Sequence, residues 1–313
     1  MYEIVILLYY NTVMVKTLVL YVFHEYNWRV KRFVEKAIFY DENVDFMVIC
    51  NNTHFQLELP SYVKYFVREN IGFDFGGWSD ALFAEDTYKK YDYYIFANSS
   101  IVGPFIPSYC KEKWTDIYIN GLQDNVKLFG SSINTKPLER VHVQSYIFSM
   151  DKHTLQYLID CEIFSVHNYP KTFWEAVFQK EVFMSRKILD NGWNIGSLMP
   201  QYKNVDFTFT SKTPSECGIQ LLGDIIWNQF KGVLWNENDV VFVKGNRSID
   251  IIGVPYDKKD PVNVSCYYTM QESLKGNQTS FSSNTSSLKR NPEPLKKKHM
   301  FVLNMNKHNQ QRR

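Results

Sequence analysis

Four segments of this 313-residue chain place polar side chains against apolar runs, and each suggests chemistry. The first is Arg68-Glu69-Asn70-Ile71-Gly72-Phe73-Asp74-Phe75-Gly76-Gly77-Trp78. Glycines and an aspartate at a strand-to-helix junction allow close backbone approach and offer free amides to an anionic ligand. Tight-turn geometry accounts for the same glycines without a ligand. The spacing is not that of a dinucleotide fingerprint, and no Gly-Lys-Ser or Gly-Lys-Thr follows to make a phosphate loop. The second segment is Asn98-Ser99-Ser100, ahead of Gly103-Pro104. Its small amide and hydroxyl groups can bond a pyrophosphate or a sugar without steric conflict, although an Asn-Ser-Ser turn would look the same.

The third segment, residues 173–190, reads as a helix closed by Asn191-Gly192. Trp174, Val177, Phe178, Ser185, Ile188 and Leu189 mark its inward stripe, and Glu181 falls on that stripe. An inward carboxylate is costly unless it is paired or functional. With its pKa raised by burial it would make a general base; as a plain structural group it would pair with Arg186 or another cation. In the fourth segment, His142-Val143-Gln144-Ser145-Tyr146, alternation puts His142, Gln144 and Tyr146 on one face of a strand. That face meets either a ligand or solvent.

These segments need elements to hold them. Apolar runs at residues 4–9, 44–50, 63–67 and 93–97 read as buried strands, and residues 13–39 and 78–91 as helices. Strands alternating with helices imply a mostly parallel sheet covered on both faces. Ligands bind such sheets at the carboxyl ends of the strands. The strands finishing near Val67 and Ala97 are therefore expected side by side, with Asp74 and Asn98 facing one cleft. Residues 1–23 are apolar but interrupted by Glu3, Asn11 and Lys16. A membrane span wants about 20 unbroken apolar residues, and no basic leader or small-residue cleavage site is present. A first strand at 4–9 is the reading preferred to an anchor. The folded domain is expected over 1–250, and residues 251–313 form a variable tail.

A net charge of +2 is too balanced for an electrostatic grip on nucleic acid. Five dispersed cysteines with no Cys-x-x-Cys pair indicate neither a zinc cluster nor a disulfide framework. Six Asn-x-Ser/Thr sequons would suit a Golgi or ER lumen, but Asn98 is one of them and a glycan there would block the candidate site. The balance leans to the cytoplasm, with peripheral membrane association an expected partner mode.

Taken in order, ENIGFDFGGW, YDYYIFANSSIVGPFIP, VKLFGSSIN, HVQSYIFSMD, EVFMSRKILDNGWNI and DVVFVKGNR resemble a glycosyltransferase family, and resemble the rhamnan-synthesis glycosyltransferases. The likeness runs from about Val44 to Arg247. It implies a GT-A-like, Rossmann-related α/β fold and transfer of a sugar, with inversion, from a nucleotide-sugar donor to a glycan or other hydroxyl acceptor. A protein that binds carbohydrate on the same fold without catalysis is the alternative. The resemblance implies donor contacts at Asn70, Gly72 and Asp74, to which the reading of the residues adds Asn98, Ser99 and Ser100. It also implies a base at Glu181, with Arg186 five residues later; His142 and Gln144 join Arg186 on the acceptor side. Related enzymes hold a divalent metal, Mn²⁺ or Mg²⁺, on the donor diphosphate through a short acidic motif, and this chain has Asn98-Ser99-Ser100 at that position. Asp74 or another carboxylate then replaces it, or cations such as Arg68, Lys127 or Lys244 neutralise the leaving group, or catalysis has been lost.

Overall fold

The longest uniformly apolar stretch in the middle of the fold is Thr-Leu-Val-Leu-Tyr-Val-Phe, and all seven of its residues are buried. It forms β1 (Thr17–Phe23), hydrogen-bonded on both sides within the sheet. A strand covered on both faces has no polar alternation, so its run of apolar residues matches a helical pattern equally well. The expected helix over 13–39 is therefore corrected: only α1 (Trp28–Lys36) is helical, started by the Asn27 side chain, which accepts from the Arg29 and Val30 amides. The computed structural model describes residues 15–247 and 249–251, which all belong to one structural unit. The expected strand at 4–9 and the tail from 252 onward lie outside the described residues.

The strands β2 (Val44–Cys50) and β3 (Val63–Val67) follow, then α2 (Phe73–Phe83) and β4 (Tyr93–Asn98). Next come the short β5 (Ile101–Val102), α3 (Trp114–Asn120), β6 (Val126–Gly130), β7 (Ile133–Asn134) and β8 (His142–Val143). After β9 (Ile147–Asp151) and α4 (Lys152–Asp160), a long helical stretch joins α5 (Phe173–Glu175), a π-helical segment (Ala176–Val182) and α6 (Phe183–Asp190). The last strands are β10 (Asn194–Ser197) and β11 (Val243–Lys244).

The main sheet has seven strands in the order β10-β6-β9-β4-β1-β2-β3, all parallel except β9. The fold class is thus α/β, with a mostly parallel sheet flanked by helices. Along β1, Leu18, Leu20 and Val22 join one core, with Trp78, Leu82, Leu155, Met184 and Ile188 from α2, α4 and α6. Val19, Tyr21 and Phe23 join the other, with Val30 and Phe33 of α1 and Trp114 and Tyr118 of α3. Period-two alternation in a strand buried on both sides thus divides its side chains between two cores. No helix among the described residues is long and apolar enough to cross a membrane.

The glycine segment differs from expectation in a way that matters for the site. Helix α2 begins at Phe73, five residues earlier than expected, so Gly76 and Gly77 are helical rather than part of an open turn. A Cβ on Gly76 would lie 2.0 Å from the Ile71 carbonyl oxygen, and one on Gly77 would lie 2.8 Å from Val22 Cγ2. Gly76 lets the loop at Ile71 close on the first turn of α2, and Gly77 lets that helix press onto β1. Only Gly72, at φ 77°, needs glycine for its backbone conformation. The helix ends at Phe83, and a 3₁₀ segment (Ala84–Lys89) with positive φ at Glu85 and Asp86 completes the link to β4.

Candidate active site

The candidate site lies at the carboxyl ends of the parallel strands. Strands β3 and β4 are not neighbours, since β2 and β1 lie between them. Their following segments meet all the same, because α2 folds back across the sheet: Asn98 Nδ2 donates to Asp74 Oδ2 at 2.9 Å. The Asn98 Oδ1 accepts from the Ser100 amide at 3.0 Å, fixing the turn that leads into β5. Ser99 contributes its carbonyl to the Arg29 Nε–H at 2.8 Å.

Because β9 runs antiparallel, its beginning lies at this same end, and Asn98 N donates to the Tyr146 carbonyl at 3.1 Å. That brings residues 142–146 beside Asp74 and Asn98. Glu181 reaches them from the π-helical segment, a helix irregularity frequently found at functional sites. Its Oε2 accepts from the Ser145 amide at 2.9 Å and from the Ser145 hydroxyl, while Oε1 faces His142 Nε2 at 3.3 Å. His142 Nδ1 lies 2.5 Å from the Arg140 carbonyl. The Arg140 carbonyl only accepts, so Nδ1 carries a proton. Nε2 lies 3.3 Å from both the Glu181 carboxylate and the Asn134 amide nitrogen, and the raised pKa of His142 favours the charged ring beside Glu181.

Electrostatics set the two carboxylates apart. Burial pushes the Asp74 carboxyl up to about 6, against the Asn98 hydrogen bond and the Lys244 charge, with Glu181 adding to the rise. Burial also pushes Glu181 up, but His142, Lys244 and Ser145 outweigh it and hold the group at about 2. The expected raised pKa of Glu181 is therefore corrected. Burial would lower His142, yet Glu181 and the Arg140 carbonyl keep it above its ordinary value. Lys244 arrives from far along the chain on β11, which pairs antiparallel with β5.

Other expected positions fall elsewhere. Gln144 is 2% exposed, and its amide is spent on Ser132 and Asp224, so it belongs to the wall rather than to a ligand-facing surface. Tyr146 is likewise buried, against Ser132. Arg186 points outward and pairs with Asp190 at 2.9 Å; the partner of Glu181 is His142. Trp174, expected on the inward stripe, is 46% exposed and stacks on Phe178. The widened π segment breaks the 3.6-residue phase on which that expectation rested.

Asn70 and Gly72 border an open cavity of about 600 Å³ between residues 70–73 and residues 167–171. Asn51, Asp80 and Tyr169, which the motifs did not single out, hold this wall together with Arg68. Arg68 donates to Asp80 (2.6 Å), to Asn51 (3.2 Å) and to the Ile71 carbonyl (2.8 Å), and Tyr169 donates to Asp80 from the facing loop. A Cβ on Gly72 would lie 2.9 Å from Tyr169 Cδ1, so glycine also lets the two loops close on each other. Each of the three guanidinium nitrogens thus serves in construction, and an Arg flanked by Asn51 and Asp80 is visible only once the chain is folded.

The residues present make a poor cradle for a divalent metal. No group of three His, Cys, Asp or Glu among the described residues is arranged to hold one. Both Glu181 oxygens are already bonded, and Asn98 occupies one oxygen of Asp74. Hard divalent ions want several oxygen ligands, and here a single Asp74 oxygen remains, next to an ammonium charge.

No curated protein matches the chain. Among solved structures, A197 from STIV aligns at 10% identity over 45% of this chain and 67% of its own, with a TM-score of 0.27, too slight a likeness to argue from. A family model described as rhamnan synthesis protein F matches residues 46–220. That span takes in β2 to β10, the segment that carries Asp74, Asn98, His142 and Glu181. More than half of the chain is matched, and it belongs to the rhamnan synthesis protein F family.

Proposed function

We propose that this protein is a GT-A-like, inverting glycosyltransferase that moves a sugar from a nucleotide-sugar donor to a glycan or other hydroxyl acceptor. The family's description makes activated rhamnose the first donor to try. The observation that carries the reading is the meeting of Asp74, Asn98, His142, Glu181 and Lys244 at the carboxyl ends of the sheet. Carboxylates, an amide and a cation gathered at the carboxyl ends of a parallel sheet suit a polar, charged substrate.

In this reading the donor lies along Asn70, Gly72 and Asn98–Ser100, and the acceptor approaches from the His142 and Glu181 side. The acceptor hydroxyl attacks the anomeric carbon, the glycosidic bond to the diphosphate breaks, and the hydroxyl proton passes to a Glu181 oxygen. A carboxylate held near 2 is ionised throughout the neutral range, so it is ready to accept without prior deprotonation. Transfer to so weak a base becomes favourable late, when the attacking oxygen has bonded to carbon and its proton has turned acidic. Much of the acceleration would come from positioning and from charge stabilisation at the leaving group. Because His142 and Ser145 occupy the Glu181 oxygens, a silent carbohydrate-binding protein is the second reading.

The test is a panel of nucleotide-sugars, thymidine-diphosphate rhamnose first, scored by thermal shift and by nucleoside diphosphate release with and without oligosaccharide acceptors. Donor-dependent stabilisation with release supports the enzyme. Stabilisation by oligosaccharide alone, with no release, favours the silent reading, and no response to any sugar nucleotide overturns the proposal.

A further inference from the structure

We propose that the Lys244 ammonium takes the place of a divalent cation on the diphosphate leaving group. This rests on the glycosyl-transfer reading and deepens it.

The backbone around Lys244 is pinned to the candidate site. Lys244 pairs with Ile101 in β11 and β5, and the Gly245 amide donates to the Ser100 carbonyl at 2.6 Å. A Cβ on Gly245 would lie 2.0 Å from Val102 Cγ2, so this approach requires glycine. The segment is thereby locked onto the turn after Asn98. The side chain crosses the face of Tyr146, its Nζ 6.0 Å from the ring centroid.

Three carboxylates, Asp74, Glu181 and Asp224, feel the charge of Lys244, yet none forms a contact pair with it among the described residues. Asp224 is instead paired with Arg247, and Glu181 with His142. The ammonium's three N–H groups have no acceptor among the described residues. An arrangement that surrounds a cation with charge but leaves its donors unspent suits an anion that arrives with the substrate.

The two other cations weighed from the sequence are committed. Arg68 holds Asp80, Asn51 and the Ile71 carbonyl. Lys127 sits at the opposite end of the sheet, 3.8 Å from Asp151. A metal is poorly provided for, as the ligand set around Asp74 shows. Of the three cations weighed from the sequence, Lys244 is therefore the one left to neutralise charge beside Asp74 and Asn98.

Calorimetric titration of the purified full chain with uridine, thymidine, guanosine and cytidine diphosphates, in EDTA and in Mn²⁺, tests this. Wild-type affinity for the preferred diphosphate is expected to agree within about twofold in the two buffers. Lys244→Met should weaken it by about tenfold to a hundredfold, the value of a charge-assisted hydrogen bond. Binding of the unphosphorylated nucleoside should not change, and Lys244→Arg should recover part of the loss. Loss of wild-type binding in EDTA overturns the inference without needing any variant. Unchanged diphosphate affinity in Lys244→Met, or rescue of that variant by Mn²⁺, overturns it as well while leaving glycosyl transfer standing. Failure of the wild type to bind all four diphosphates overturns the glycosyl-transfer reading and this inference together.

Discussion

The two ends of the central sheet carry the same kinds of side chain to different purpose. At the amino ends, Lys127 faces Asp151 at 3.8 Å, Lys64 faces Asp45 at 3.4 Å, and the Lys16 amide bonds Asp92 at 2.8 Å. The two ion pairs share their charge with water, which makes such pairs worth little. At the carboxyl ends, Asp74 is buried enough to sit at about 6, Glu181 is held at about 2 by His142, Lys244 and Ser145, and Lys244 lies over the Tyr146 ring with no ion-pair partner among the described residues. Charge removed from water and left incompletely paired costs stability, and perturbed groups of this sort gather at functional sites. The comparison locates the site more firmly than any single residue does.

Glu181→Gln should give the largest effect. The amide keeps the size of the carboxylate but accepts the acceptor proton poorly, so turnover should fall by roughly 10²- to 10⁴-fold with donor affinity nearly unchanged. Steady-state kinetics beside donor titration would show it. Unchanged turnover in a folded variant would assign Glu181 to an ion pair with His142 and nothing more.

His142→Gln should come next, as a loss of stability that depends on pH. Removing one partner of a buried pair costs up to about 3–5 kcal/mol. The lowered pKa of Glu181 contributes stability above its ordinary 4.5, lost as pH falls through about 2. The raised pKa of His142 contributes stability below its ordinary 6.5, lost as pH rises through its value in the folded chain. Both contributions are in full force between about pH 4.5 and 6.5, so the penalty should peak there and shrink toward alkaline pH. Denaturant midpoints at pH 5.5 and 9 measure this, and an equal penalty at both would remove the imidazolium from the account.

The smallest effects belong to the exposed pairs. Lys127→Ala at the amino end and Arg186→Ala on the outer face of α6 should each change stability by about 1 kcal/mol or less and leave turnover unaltered. A tenfold loss of turnover in Arg186→Ala would restore Arg186 to the acceptor site and break the contrast drawn above.

Much of this was legible along the chain. The runs at 44–50, 63–67 and 93–97 fold as strands with nearly those limits, because a short apolar run bounded by polar turns has few other uses. Glu181 does face inward, as expected, but the four-residue spacing from Val177 is not the reason, since both residues lie in the π-helical segment. Strand β1 was not legible, because a strand buried on both faces shows no period of two. The π-helical segment escaped notice too: it changes the phase of the helix without any residue type that announces it.

Taken alone, the sequence determined an alternating α/β chain, a family and a short set of polar segments. Tertiary structure decided which of them meet. Asp74 reaches Asn98 because α2 recrosses two strands, His142 rather than Arg186 finds Glu181, and Lys244 comes to the Ser100 turn through a two-residue strand. Periodicity and capping act over three or four residues, whereas these contacts span 24, 39 and about 140 positions. Such contacts are fixed by how the sheet orders its strands and by where glycine permits close approach, neither of which a local pattern encodes.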